Sequence, residues 1–258
     1  MNYEKFKEQV LRKTGINLSS YKERQMKRRI ESLIKRCNFD NYQDYFNAIT
    51  KDDVLYNDFI NYLTINVSEF YRNPTQWQVL KSDVIPYLLE NNGKRKLKVW
   101  SAACSTGEEP YSLVMALSEF FNLREIEVIA TDIDKEVLNK ASIGIYSPKS
   151  IEHTPDKFKK KYFTKTGNSY KISEEIKNCV KFRSHDLLKD IYPKDCDLII
   201  CRNVLIYFTE EAKEKIYINF NSSLKSNGVL FVGSTEQIIL PHRYNFKAMK
   251  TFFYKKVN

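Results

Sequence analysis

Residues 102–111 read Ala-Ala-Cys-Ser-Thr-Gly-Glu-Glu-Pro-Tyr. They combine a turn-forming glycine with two carboxylates at the start of an apolar run. Leu97–Ala103 has the pattern of a short buried strand and Glu108–Phe121 that of a helix, with Ser105, Thr106 and Gly107 turning between them. A strand, a tight turn and a helix N-terminus form the cofactor-cradling corner of a parallel α/β sheet. This corner has one glycine where a dinucleotide fold has three. Its paired acids, Glu108 and Glu109, repel a pyrophosphate and suit a cation. S-adenosylmethionine, with a sulfonium and an ammonium group, is a cofactor of that kind.

A second acid follows at a telling distance. Asp132 lies near the end of the run Glu127–Ile133, about 25 residues after Gly107, at the point in a βαβ unit where a carboxylate holds ribose hydroxyls. The alternative is helix capping at Lys135, a task that suits Asp134 better. Two further clusters carry chemistry. Thr64-Ile-Asn66-Val-Ser68-Glu-Phe70-Tyr71-Arg72-Asn-Pro74 sets small hydrogen-bonding groups before aromatics and an arginine, which suits a cleft lining or a capping linker. Asp197-Leu-Ile-Ile-Cys201-Arg202-Asn203-Val-Leu-Ile-Tyr207-Phe208 is an apolar strand that ends abruptly in polar and aromatic residues. Open α/β sheets bind ligands beyond the carboxyl ends of their strands, so those polar residues point to function.

The elements that must position these groups fall into two parts. Residues 1–72 show helical patterns, almost no strand signal and a single glycine, Gly15. Residues 73–258 open with a helix from Asn73–Pro74 to about Glu90, closed by Asn91–Asn92–Gly93. Strands then alternate with helices: Leu97–Ala103, Glu127–Ile133, Cys179–Arg183, Asp197–Arg202 and Val229–Gly233, with helices near 108–121, 134–142 and 209–224. That alternation predicts a parallel sheet covered on both faces. The helix from Thr209 places Ala212, Ile216, Phe220 and Leu224 on one face and stops at Asn227–Gly228. Residues 144–177 break the rhythm. Lys161–Thr164 and Ser169–Ser173, joined through Thr166-Gly167-Asn168, read as a hairpin within an insertion, either a substrate-contacting subdomain or a stabilising flap.

The chain has 258 residues, 42% of them hydrophobic, enough for one large domain and a small companion. No apolar run approaches a membrane span, and the N-terminus lacks a secretory pattern. The five cysteines (Cys37, Cys104, Cys179, Cys196, Cys201) form no Cys-x-x-Cys pair, which argues against a zinc site or a disulfide framework and for a reducing cytosol. A net charge of +10 calls for an acidic partner. Seven basic residues lie between Tyr21 and Arg36, against Glu23 and Glu31. Met26, Ile30, Leu33, Ile34 and Cys37 share one helical face, with Arg24, Arg28 and Lys35 opposite. That basic face is either solvated or a docking surface.

Four motifs occur in order: Asn-x-Ser-x-Phe-Tyr-Arg, Ser-Thr-Gly-Glu-Glu-Pro-Tyr, Thr-Asp-Ile-Asp and Cys-Arg-Asn-Val-x-Ile-Tyr-Phe. With this series the chain resembles the bacterial chemotaxis receptor protein-glutamate O-methyltransferases, the CheR family, over nearly its whole length. The resemblance implies a Rossmann-like S-adenosylmethionine-dependent methyltransferase sheet with a small all-helical N-terminal domain (1–72, receptor docking), a methyltransferase domain (73–258) and a small β insertion (144–177). It implies methyl transfer to the γ-carboxylate of receptor glutamates, with S-adenosylhomocysteine as product. Carried over by motif, Asn66, Ser68 and Arg72 lie against the cofactor and the incoming glutamate. Ser68 keeps the hydroxyl of the threonine common there. Gly107, Glu109 and Asp132 belong to the cofactor corner. Asp186 and Leu187 match a pair flanking the adenine, although Asp186 cannot donate as an asparagine does. Arg202 and Asn203 match further cofactor contacts, and Tyr207 sits near the sulfonium and the methyl.

Arg72 orienting the glutamate and Tyr207 positioning the methyl are the catalytic assignments that follow. A glutamate carboxylate is already ionised at neutral pH, so its attack needs no general base. Arg24, Arg28 and Lys35 are expected to meet the acidic cytoplasmic helices of methyl-accepting receptors. The hairpin Tyr162–Ile172, shorter and less glycine-rich than in tail-binding relatives, points to an enzyme independent of a receptor C-terminal peptide. The expected enzyme is a cytoplasmic monomer recruited to membrane-bound receptors, without membrane insertion, metal or nucleic acid. The rival readings are a non-catalytic S-adenosylmethionine-binding adaptor and a nucleic-acid methyltransferase. The second lacks support: Cys201-Arg202-Asn203-Val204 stands where amino-methylating enzymes carry Pro-Pro-Tyr, and no Pro-Cys pair occurs.

Overall fold

The computed structural model describes residues 1–64, 68–91 and 96–257. Two compact units emerge, Met1–Ile65 with Ile206–Glu214, and Asn66–Leu205 with Lys215–Asn258. The N-terminal part of the first forms helices α1 (Tyr3–Thr14), α2 (Glu23–Arg36), α3 (Tyr42–Ile49) and α4 (Asp53–Leu63). Local chemistry starts three of them, since the side chains of Asn2, Asn41 and Asp52 accept first-turn N–H groups of α1, α3 and α4. Gly15 ends α1 in the left-handed conformation at φ 78°. Phe6 stands edge-on to Phe46 and Phe59, and Tyr45 edge-on to Phe39 and Phe59, so the small core is largely aromatic.

Helix α2 is amphipathic as its spacing predicts. Met26, Ile30, Leu33 and Ile34 are buried, Cys37 is half-buried, and Arg24, Arg28 and Lys35 are exposed. Other cations of the helix are committed within the unit. Arg36 makes a forked pair with Asp58 at 2.9 and 3.2 Å, and the guanidinium groups of Arg29 and Arg36 each lie 4.7 Å from the Tyr62 ring. The returning segment joins the unit through a bridge between Tyr21 and Phe208, and Lys22 N–H donates to the Tyr207 carbonyl at 2.9 Å.

The second unit opens with helical turns Pro74–Val79 (α5) and Ile85–Asn91 (α6), linked through a π-type turn at Leu80–Val84. Strand β1 (Val99–Ser101) leads through the glycine corner into α7 (Glu108–Leu117), then β2 (Val128–Asp132) and α8 (Lys135–Ile143). The insertion holds β3 (Ile145–Tyr146), α9 (Asp156–Tyr162), β4 (Phe163–Thr166), β5 (Ser169–Ile172) and α10 (Glu174–Lys177). The main sheet resumes with β6 (Val180–Ser184) and β7 (Cys196–Cys201). Helix α11 (Glu210–Ser223) follows, then β8 (Leu224–Val232), β9 (Phe246–Lys250) and β10 (Phe253–Lys256).

The seven-stranded sheet runs β6-β2-β1-β7-β8-β10-β9. The first five strands are parallel, and β10 is antiparallel to both β8 and β9. Strand order reverses between β1 and β7, which makes their carboxyl ends the switch point of the sheet. Alternation along the strands splits the core into two layers. Val99, Val128, Ala130, Leu198, Ile200, Val229 and Phe231 pack with Trp77, Leu80, Val84, Leu88 and α7. Trp100 points the other way, edge-on to Tyr192 and Phe220. Helix α7 is buried along its whole length, which explains its lack of a polar face.

Several boundaries correct the sequence expectations. The first helix includes Asn91, while Asn92 and Gly93 lie outside the described residues. Strand β1 is three residues long because only Val99–Ser101 pairs on both sides. Helix α7 ends at Leu117, four residues early, where Ser118 turns its hydroxyl onto the Met115 carbonyl. Leu224 is buried as expected but opens β8 rather than closing α11. The hairpin is present, its first strand two residues later than expected and its second starting at Ser169 as expected, with Thr166 opposite Ser169 and Gly167–Asn168 as its turn. It carries a third strand, since Ile145–Tyr146 pairs with Lys171 and Tyr170.

Candidate active site

The acids, Arg202 and Asn203 sit at four neighbouring strand ends. Asp186 and Leu187 follow β6, Asp132 ends β2, the glycine corner follows β1, and Arg202–Asn203 follow β7. Backbone bonds fasten the corner to both neighbours: Ala102 N–H donates to the Ile200 carbonyl at 2.8 Å, and Cys104 N–H to that of Thr131 at 2.9 Å. Ser105 adopts φ 47° and Gly107 φ 94°. A Cβ on Gly107 would stand 2.9 Å from the Ala141 Cβ and 3.0 Å from the Tyr146 hydroxyl, so helix packing, besides φ, demands glycine there.

Asp132 is buried and held by backbone donors: Oδ2 accepts from Ser105 N–H at 2.8 Å, Oδ1 accepts from Asp134 N–H at 3.1 Å, and the Ile133 N–H also bonds to the carboxylate. A carboxylate has about four acceptor sites, so capacity remains for a ligand hydroxyl. Burial is the main influence on this carboxyl and pushes it up to about 6, against the charge-favouring backbone bonds. Asp134 is the helix cap, accepting from Glu136 N–H at 2.9 Å and Val137 N–H at 3.3 Å. The two acids of Thr-Asp-Ile-Asp therefore divide as the sequence suggests, one shaping the corner and one starting α8.

Glu108 and Glu109 are nearly dry at the N-terminus of α7. Glu108 accepts from the Thr106 hydroxyl at 2.6 Å, and the Ser68 hydroxyl also bonds to it. Glu109 accepts from the Ser101 hydroxyl at 2.8 Å and faces Arg202 at 3.7 Å. Burial raises both carboxyls above the usual carboxylate range; for Glu109 the nearby Arg202 charge opposes it. The helix dipole favours negative charge at this end, so the pair is placed where its ionised form costs least.

Arg202 is a tether as well as a charge. Its side chain is 2% exposed, and Nη2 donates to the Arg72 carbonyl at 2.8 Å, Asn73 Oδ1 at 2.9 Å and Gln76 Oε1 at 3.1 Å. Its guanidinium lies 4.8 Å from the Phe231 ring centre. The Arg72 carbonyl also accepts from the Trp77 indole at 3.0 Å, and Tyr71 N–H donates to the Ser112 hydroxyl at 3.0 Å. Residues 71–76 are thus strapped onto β7 and α7, with Tyr71 at φ 53° and Asn73 at φ 60°. Backbone outliers of this kind persist only where the surroundings over-determine them.

The remaining expected residues are placed as follows. Asn203 follows Arg202 in the left-handed conformation at φ 61°. Asp186 Oδ1 accepts from Leu188 N–H at 2.8 Å, which shapes the turn after β6, and the Leu187 carbonyl accepts from the Tyr192 hydroxyl at 2.6 Å. Tyr207 closes the short Leu205–Tyr207 turn and belongs to the helical unit. Asn66 lies outside the described residues. Two groups in the structure were not anticipated. Gln76 is a buried acceptor for Arg202. Glu236 accepts N–H bonds from the loop after β7; its only sequence signal is an acid three residues past Gly233, where a buried strand ends.

Chemically, this end of the sheet suits a cationic nucleoside. Glu108, Glu109 and Asp132 are all buried, and desolvation raises each of them. A sulfonium and an ammonium would favour the ionised forms, while ribose hydroxyls would use the remaining lone pairs of Asp132. The residues fit S-adenosylmethionine.

Comparisons with known proteins give the family of the sequence. The family model "CheR methyltransferase, SAM binding domain" matches residues 66–254, and "CheR methyltransferase, all-alpha domain" matches residues 1–64. A chemotaxis protein methyltransferase of Listeria innocua is 44% identical over 99% of this chain and 97% of its own. The corresponding protein of Borreliella burgdorferi is 34% identical over 87% and 83%. Among solved structures, a TehB-like SAM-dependent methyltransferase from Corynebacterium glutamicum is 16% identical over 71% of this chain and 94% of its own, with a TM-score of 0.39. From three of the motifs standing at adjoining strand ends and family matches across both parts of the sequence, the chain belongs to the CheR methyltransferase family, with S-adenosylmethionine as its methyl donor.

Proposed function

We propose that the chain methylates the γ-carboxylate of glutamates on the acidic cytoplasmic helices of chemoreceptors, as part of chemotactic adaptation. The observation that carries this reading is the group of buried acids at the switch point, with Arg202 beside Glu109, within a chain of this family. When bound, S-adenosylmethionine supplies an electrophilic methyl group on its sulfonium. Glu109 and Asp132 hold its amino-acid end and ribose, and Asp186 and Leu187 flank its adenine. Ser68 and Asn203 complete the contacts. Arg202 acts through Glu109 and the strapped 72–76 segment.

Among these residues positioning dominates. The attacking carboxylate is ionised at neutral pH and needs only in-line placement, a contribution of the entropy-trap kind. Arg72 orients it, and an arginine that gripped it too tightly would stabilise the ground state as charge is neutralised. Arg24, Arg28 and Lys35 form an exposed cationic stripe on α2, and among the described residues no ion pair within 4.0 Å engages them. That stripe supports docking to acidic receptor helices. The enzyme works in the cytoplasm as a monomer, recruited to membrane-bound receptors without needing a receptor C-terminal peptide. Among the described residues, no helix is long and apolar enough to cross a membrane.

The test is incubation with methyl-labelled S-adenosylmethionine and a receptor cytoplasmic fragment, followed by mild base. Base-labile label that disappears when the receptor glutamates become alanines supports the reading. Cofactor binding without any transfer favours a non-catalytic adaptor.

A further inference from the structure

The loop that carries Asn203 is held from below by one side chain. Glu236 is buried, and both of its oxygens are occupied by backbone donors from the ends of two adjacent parallel strands. Oε2 accepts from Asn203 N–H at 2.6 Å and Gly233 N–H at 2.9 Å, while Oε1 accepts from Leu205 N–H at 2.6 Å. The fit leaves no spare room. A Cβ on Gly233 would stand 2.4 Å from Oε2 and 2.8 Å from Asn203 N. The acceptor is a carboxylate and the donors are backbone amides, so these are charge-assisted bonds in a dry place, and losing one leaves an orphaned N–H. Asn203 sits at φ 61°, a conformation a non-glycine residue keeps only when something fixes it.

We infer that Glu236, granted the cofactor site proposed above, is a positioning residue for it: its carboxylate clasps the loop after β7 and fixes Asn203 in its cofactor-binding pose. Glu236 need not touch the cofactor. It locks residues 203–205 to Gly233, so the conformation competent to bind is the populated one, and loosening the clasp raises the apparent Kd by lowering that population.

The experiment measures S-adenosylhomocysteine affinity by calorimetry on the full chain, well below each variant's melting temperature. The proteins are wild type, Glu236→Gln, Asn203→Ala, the double variant and Gly233→Ala. Gln keeps the shape but offers one acceptor oxygen in place of two, so Glu236→Gln raises Kd by about tenfold, the scale of one charge-assisted hydrogen bond. Gly233→Ala, whose new methyl presses on Oε2, raises it in the same direction and serves if the glutamine variant does not fold. Because Glu236 acts through Asn203, the double variant is no weaker than the weaker single variant. A merely structural role lowers the melting temperature but leaves Kd within about twofold, and that result overturns the inference, as does strict additivity in the cycle. A wild type that binds no S-adenosylhomocysteine would refute the cofactor reading itself. Wild-type binding unchanged in folded Glu236→Gln or Gly233→Ala refutes the clasp alone.

Discussion

Asp132 gives the sharpest prediction because its two tasks pull its titration in opposite directions. In the free protein burial lifts its carboxyl from 3.8 to about 6. Ribose hydroxyls donating to its spare lone pairs require the ionised form, so below pH 6 binding must expel a proton. The apparent Kd then grows as one plus the ratio of protonated to ionised enzyme. That factor is about 11 at pH 5 and about 1.1 at pH 7, so affinity weakens about tenfold on acidification. Folding responds with the opposite sign. The folded state binds this proton more tightly than the unfolded chain, so this group's contribution to stability is greatest below pH 4. It falls by about 3 kcal/mol as pH rises from about 4 to 6, and is flat above. The assay is calorimetric titration with S-adenosylhomocysteine between pH 5 and 8, in buffers of differing ionisation enthalpy so that released protons are counted. Asp132→Asn should bind more weakly at pH 7 and lose this slope. A wild-type Kd constant within about twofold across the range, or an unchanged slope in Asp132→Asn, would refute the reasoning.

Other perturbations test other parts. Arg202→Met should cost about 3–5 kcal/mol of stability, since it leaves Glu109 without its cation and removes the donor to the Asn73 and Gln76 side-chain oxygens and one of two donors to the Arg72 carbonyl, and thermal unfolding reads it. Arg202→Lys should not restore stability, because an ammonium cannot reproduce the fork. Joint reversal of Arg24, Arg28 and Lys35 to glutamate should raise KM for the receptor fragment and reduce its salt dependence. S-adenosylhomocysteine affinity should stay unchanged, and a shift in that affinity would argue against a docking role. Arg72→Ala should cut turnover with a modest loss of cofactor affinity; unchanged turnover would remove it from the mechanism.

What could be read in advance follows from the range of the interactions. Asp134 as a cap, the buried face of α2, the hairpin near Gly167 and the alternation of β1, β2, β6 and β7 all depend on neighbours a few residues away, and pattern carries them. The family resemblance likewise brought four strand ends into one account. Strands β9 and β10 did not announce themselves. Lys247, Lys250, Lys255 and Lys256 dilute their apolar alternation, and their pairing is antiparallel across a bend at Phe252, which has φ 70°. Glu236 and Gln76 were illegible for a related reason. Each is an ordinary polar residue whose meaning comes from a partner 31 to 126 positions away. Arg202 was visible as a site residue, but not as the strap that holds 72–76. Gly107 was visible as a turn, while its need to clear Ala141 appears only once α8 is packed.

The central claim is that the methyl group ends on a receptor glutamate. It is tested most directly by reacting a receptor cytoplasmic fragment with S-adenosylmethionine and the enzyme, then locating the added methyl by fragmentation mass spectrometry. The account predicts methyl esters on glutamate side chains of the receptor helices, formed more slowly by Arg72→Ala and by Asp132→Asn at low cofactor. Methylation on lysine or on nucleic acid, or none despite saturating bound cofactor, would contradict it.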